Sequence, residues 1–136
     1  MEQPLGFDVR LAMPLPQAVE VVTEALKQEG FGVLTRIDVQ ATLQEKMGKE
    51  FRPYVILGAC NPPLAHCALD NDPRVGLLLP CNVVVDERSD GVWVSIVNPE
   101  VLLAIGPLAH NALLCSVASE ARVRLERVAA ALQAAG

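Results

Sequence analysis

Apolar positions recur along the chain with two different periods. Leu15, Ala18, Val22, Ala25 and Leu26 return at helical spacing after Pro14-Leu15-Pro16 and stop at Gly30, which predicts an amphipathic helix. Leu114, Val117, Ala121, Leu125, Val128 and Leu132 draw a second stripe, on a long closing helix supported by Glu120 and Arg124 at i,i+4. Between them the period shortens. Phe31, Val33, Thr35 and Ile37 alternate with Gly32, Leu34, Arg36 and Asp38, as in a strand with one partly wet face. Tyr54 to Ala59 is a continuous apolar run behind Pro53 and suits a central strand. An opening strand is expected near Leu5 to Met13. Gly76 to Glu87 and Val92 to Val97 read as a strand pair joined through Ser89-Asp90-Gly91, a good hairpin signal. Pro80, inside the first member, implies a bulge, a bend or an edge, because it cannot donate to the ladder.

Capping residues punctuate these runs. Asp38 can cap a short helix with Val39, Leu43 and Met47 on one stripe and Gly48 as its stop. Asn61-Pro62 reads as N-cap and first residue of a helix reaching about Leu69, and Asn98-Pro99-Glu100 repeats the logic for one ending at Gly106-Pro107. His110, with Asn111, stands at the start of the last helix as its cap. The resulting order, β-α-β-α-β-α-β-β-α-α, predicts an α+β fold: a single two-layer domain over residues 1–136, with helices on one face of a mixed or mostly antiparallel sheet.

At 136 residues the chain fits one domain with one core, and no linker or repeat divides it. Hydrophobic residues make up 51% and aromatics only 4%, so that core is aliphatic and base-stacking platforms are scarce. A formal net charge of −5 argues against a nucleic-acid partner, which requires clustered Lys and Arg. Arg122, Arg124 and Arg127 alternate with Glu120 and Glu126 and read as a solvated helix face. Met1-Glu2-Gln3-Pro4 has no basic segment followed by an apolar one, so no signal peptide is read and a cytoplasmic protein is expected. The uncharged stretch Val101 to Ala118 is interrupted by Gly106-Pro107, His110, Asn111 and Ser116, which predicts two helices and no membrane span. Four cysteines in such a chain are expected to be reduced thiols.

Candidate chemistry gathers where strand-like runs break, at Cys60-Asn61 and Cys81-Asn82. Cys60 precedes a helix cap, where unpaired N–H groups favour an anion, so its thiolate is expected to form more easily. Asn61 and Asn82 each offer a donor and an acceptor. Both cysteines equally suit small buried packing positions, with the asparagines satisfying backbone groups. Cys60, His66, Cys67 and Cys81 supply soft ligands, but their spacing matches no zinc signature, and His66 and Cys67 point about 100° apart on one helix. Metal ligation therefore falls on Cys60 and Cys81 before His66, with zinc or copper as the ion. Only His66 and His110 could serve a thiol as base. Cys115 reads as core. Asp70, Asp72, Asp86, Glu87 and Asp90 lie around turns and read as solvated, and Gly30-Phe31-Gly32 is too short for a phosphate loop.

Gly30-Phe31-Gly32-Val33-Leu34, Ile37-Asp38-Val39-Gln40, Gly58-Ala59-Cys60-Asn61-Pro62 and Gly76-Leu77-Leu78-Leu79-Pro80-Cys81-Asn82-Val83-Val84 resemble, in this order, the family called domain of unknown function 302. The resemblance runs from the first helix to the last. It implies a small α+β domain that forms a homodimer and occurs mainly in prokaryotes. The family's two Cys-Asn motifs map onto Cys60, Asn61, Cys81 and Asn82, while Cys67 and Cys115 fall outside them.

Three functional expectations follow. The first is a homodimeric binding module holding a small molecule or soft metal ion at Cys60 and Cys81, with Asn61 and Asn82 orienting it. The second is a thiol-dependent redox protein or enzyme with Cys60 as nucleophile and Cys81 as resolving thiol. The third is a structural or interaction domain whose cysteines are buried and inert.

Overall fold

The computed structural model describes residues 3–136. Met1 and Glu2, on which the reading of the N-terminus partly rests, lie outside it. Strands β1 (Gly6–Leu11), β2 (Gly32–Asp38), β3 (Tyr54–Cys60), β4 (Cys81–Arg88) and β5 (Gly91–Val97) form one sheet in the order β1-β5-β4-β3-β2, with every pairing antiparallel. Five helices accompany it: α1 (Leu15–Gln28), α2 (Val39–Met47), α3 (Pro62–Asn71), α4 (Pro99–Leu102) and α5 (Ala112–Ala135). Short 3-10 segments occupy Pro73–Leu78 and Gly106–His110. The expected α+β class and its element order are observed. No described helix is long and apolar enough to cross a membrane.

Helices α1 and α5 cover one face of the sheet. Their stripes, Leu15, Ala18, Val22 and Leu26 on α1 and Ala121, Leu125, Val128 and Leu132 on α5, meet the inward residues Val9, Leu11, Leu57, Val83, Val94 and Ile96. Burial does not end in the one core expected from chain length. A second cluster joins Ala68, Val75, Leu103, Leu108, Leu114, Val117 and Ala118, beyond the end of the sheet where β3 finishes and β4 begins. Helix α5 serves both clusters, with Leu114 and Val117 in the second and Leu125 to Leu132 in the first.

The caps act as their sequence chemistry dictates. Asp38 Oδ1 accepts from Ala41 N at 2.9 Å, Asn61 Oδ1 from Leu64 N at 3.2 Å, Asn98 Oδ1 from Glu100 N at 3.0 Å and Asn111 Oδ1 from Leu114 N at 3.1 Å. Asn98 is fully buried, and its Nδ2 also donates to Pro4 O at 2.9 Å, so one side chain ties the end of β5 to the start of the chain.

Several expectations are corrected. The even alternation from Phe31 to Ile37 breaks at a bulge: Val33 pairs with Ala59 but Thr35 with Gly58. Leu34 is the extra residue, so Phe31 and Val33 reach the core while Thr35 and Ile37 turn to the opposite face. The strand expected from Gly76 begins only at Cys81. Leu77 and Leu78 belong to a 3-10 turn, and Pro80 precedes the ladder, where its missing N–H costs nothing. The Val39, Leu43, Met47 stripe of α2 meets no core, since no residue of α2 is buried. The Tyr54 to Ala59 run lies inside the sheet, as expected of a central strand. Asp86, read as a solvated loop residue, lies within β4 and is 2% exposed.

Candidate functional site

Cys60 is the last residue of β3 and Cys81 the first of β4. Antiparallel pairing sets Cys81 opposite Ala59, one residue before Cys60, so the register alone brings both thiols to one end of the sheet. There they line a cavity of about 40 Å³ together with Asn61, and its apolar walls include Phe31, Leu64, Pro99, Leu103 and Val117. Helix α3 springs from Asn61 directly after β3, α4 follows β5, and the first half of α5 closes the space. A space of this size in a dry wall accommodates one small group.

Asn61 is 6% exposed and fixed from several sides. Its side-chain oxygen caps α3 through Leu64 N and its carbonyl accepts from Ala65 N at 2.9 Å. Its amide nitrogen lies against Gly30, whose positive φ of 84° places the α1–β2 turn next to it. Arg124 of α5 reaches the same turn, donating from Nη1 to Glu29 O at 3.3 Å.

The electrostatics reverse the expectation of an activated thiol. Burial pushes the Cys60 thiol above its ordinary range. Cys81, 8% exposed, is pushed up to about 11, by burial first and by the nearness of Cys60 second. Both groups are neutral thiols at pH 7.

Asn82 is not part of this arrangement. Alternation along β4 sends Cys81 inward and Asn82 to the face of the sheet that no described helix covers, beside Val84, Ser95 and Val97. His66 is exposed on α3 and His110 is exposed at the end of its 3-10 segment; neither lines the cavity. Cys67 packs against the second core cluster. Cys115, read as core, is exposed, with Sγ donating to Ala109 O at 3.7 Å. Among the described residues, no three His, Cys, Asp or Glu side chains are grouped to hold a metal ion. Sequence reasoning missed the contribution of Pro99, Leu103 and Val117 to the walls. Val117 belongs to the closing helical stripe, which marks it as buried but does not reveal what it faces.

The arginines of α5, read as a solvated face, reach neighbouring elements. Arg122 bonds Glu100 of α4 at 2.8 Å and lies over the Phe7 ring, and Arg127 bonds Glu29 beyond α1 at 3.2 Å. The expected Glu120 to Arg124 pair forms at 2.9 Å.

A family model described as domain of unknown function DUF302 matches residues 7–132. Among solved structures, the chain is similar to the crystal structure of an uncharacterized conserved protein DUF302 from Bacillus stearothermophilus. The two share 33% sequence identity and a TM-score of 0.81 over 96% of this chain and 97% of the other. No curated protein matches the chain. The match over nearly the whole length, with the same fold and with both Cys-Asn motifs inside the matched range, makes this chain a member of the DUF302 family.

Proposed function

We propose that the protein is a cytoplasmic binding module that holds a small ligand or a soft metal ion, zinc or copper, between Cys60 and Cys81. The observation that carries this reading is the presence of two cysteines from adjacent strands in one small cavity whose other walls, Asn61 apart, are apolar. Thiolate sulfur suits soft ions, and ligation supplies the energy to remove protons that burial otherwise retains. Asn61 bounds the cavity as its amide; Asn82, on the other face, has no role in this reading. A redox or nucleophilic role ranks behind it, because neither thiol is activated and neither histidine stands beside them.

Quantitative alkylation of each cysteine, followed by peptide mass with and without Zn²⁺ or Cu⁺, tests the proposal. Joint protection of Cys60 and Cys81 by an ion is the expected result. Protection of neither, with both inert until the protein unfolds, would return them to the packing role.

A second reading, an interaction domain acting as a homodimer, is favoured by the uncovered sheet face. The register lines up Ser95, Val84, Ile56 and Ile37 across four strands, and Ile37 is 48% exposed. A second copy packed on this row would bury it. Light scattering on the wild type and an Ile56→Glu variant decides: dimer becoming monomer supports it, and a wild-type monomer at all concentrations removes it.

A further inference from the structure

At the opposite end of the sheet, on the uncovered face, three of the chain's five aromatic residues surround two arginines and one carboxylate. The register sets Arg10 opposite Trp93, Trp93 opposite Asp86 and Asp86 opposite Tyr54, so these residues form one row across β1, β5, β4 and β3. Arg52 enters from before β3, with Nε bonding Asp86 Oδ1 at 2.7 Å and Nη2 bonding Oδ2 at 3.2 Å. Arg88 at the end of β4 bonds the same Oδ2 through Nε at 2.9 Å. Both guanidinium groups are thus anchored side by side on one oxygen. Arg52 lies 4.7 Å over the Phe51 ring and 5.9 Å from that of Tyr54, and Arg88 lies 5.2 Å over Trp93.

Two cations share one anion here, in a chain whose formal net charge is −5. Three hydrogen bonds occupy the Asp86 carboxylate, and aromatic faces restrict how the guanidinium groups can turn. Arg52 Nη1 and both terminal nitrogens of Arg88 have no bonding partner among the described residues, and the two side chains are 47% and 49% exposed. Asp90, in the β4–β5 turn, accepts from Trp93 Nε1 at 2.9 Å, and its backbone oxygen accepts from Arg10 at 2.8 Å. Held donors with open N–H groups, on two guanidinium groups that share one carboxylate, are what bidentate recognition of an oxyanion requires.

We infer that Arg52 and Arg88, fixed by Asp86 beside Trp93, form a binding site for a small oxyanion, a phosphate or carboxylate group. The site is separate from the thiol cavity in both sheet end and sheet face. Its ligand sits on the outer N–H groups.

Trp93 is the only tryptophan of the chain and lies under Arg88, so its fluorescence reports on the site. The full chain is titrated with inorganic phosphate and separately with acetate, with sodium chloride holding ionic strength constant, and calorimetry follows the same titrations in variants. A saturable response to either anion is expected; the tighter of the two identifies the phosphate or carboxylate source. Arg52→Gln and Arg88→Gln should each weaken binding about tenfold or more, since each removes a charged hydrogen-bonding partner. Arg88→Lys keeps the charge without the fork and should also weaken binding, which preserves the test if a glutamine variant fails to fold. The site is refuted by no saturable response to either anion, by a response that chloride reproduces, or by affinities unchanged in the arginine variants. A Trp93 signal that follows protein concentration and not anion would assign the row to contact between copies, and would equally overturn it.

Discussion

Cys81 faces Ala59 across the β3–β4 ladder and Cys60 is the next residue along β3, so both cysteines stand at one end of the sheet, where they line the same cavity. Their proximity and burial predict a specific alkaline behaviour. A thiol in an unfolded chain has a pKa near about 8.5, whereas Cys81 in the fold is pushed up to about 11. The folded state therefore retains a proton that the unfolded state loses. Its contribution to stability is fully present below the unfolded value and is lost as pH rises toward the folded one. Denaturant unfolding of the wild type should show stability falling through this range. Cys81→Ala, at a cost of about 1 kcal/mol near pH 7, should flatten the decline; an unchanged alkaline slope would contradict the assignment.

Exposure sets a second expectation, for the order of thiol modification. Cys115 is exposed, Cys60 and Cys67 are half-buried and Cys81 is buried. With a neutral alkylating reagent at pH 7.5 to 8, a range set by ordinary thiol pKa values of roughly 8.5, Cys115 should react first and Cys81 last. Peptide mass at timed intervals reads the order, and early reaction at Cys81 would mean that the cavity opens in solution.

Most elements were legible because their signals are local. Asp38, Asn61 and Asn98 each precede helical residues and each accept the expected backbone N–H. The stripes of α1 and α5 needed only the helical period. What escaped depends on pairing between distant segments. The bulge at Leu34 is visible only once Val33 and Thr35 meet Ala59 and Gly58, and it reverses the face on which Ile37 lies. Asp86 looked like one more acidic residue near a turn, yet Arg52, 34 positions earlier, neutralises it in the fold. Alternation in Cys81-Asn82-Val83 placed Cys81 and Asn82 on opposite faces from the start, which should have separated that Cys-Asn pair.

Asp86 carries the acid-side counterpart. Burial opposes its ionisation, but hydrogen bonds from Arg52 and Arg88 outweigh it and hold the carboxyl below its ordinary range. An unfolded aspartate titrates near about 3.9, so this contribution is present above that pH and is lost as pH falls through the lower folded value. Asp86→Asn should cost about 1 to 3 kcal/mol at neutral pH, because two guanidinium groups lose a charged partner. In urea unfolding the gap between wild type and variant should narrow near pH 3, below the unfolded value of about 3.9. A gap of constant size would show that shape, and not charge, is what the asparagine disturbs.

The Gly30 turn offers a way to separate backbone strain from support of the thiol site. Gly30 and Gly48 both have positive φ, 84° and 62°, and both end helices. Alanine at either position meets the left-handed penalty of about 1 to 2 kcal/mol. Their surroundings differ: a methyl group at Gly48 meets nothing within 4 Å, whereas one at Gly30 falls 2.9 Å from Asn61 Nδ2 and 3.3 Å from Arg124 Nη1. Asn61 is buried and tied to the start of α3, so it cannot retreat without loosening its bond to Leu64 N. Gly30→Ala should therefore cost about 1 kcal/mol more than Gly48→Ala, the typical worth of an N-cap, and should speed alkylation of Cys60 while Gly48→Ala leaves it unchanged. Equal costs and equal Cys60 rates would show that Asn61 yields freely and does not brace the cavity.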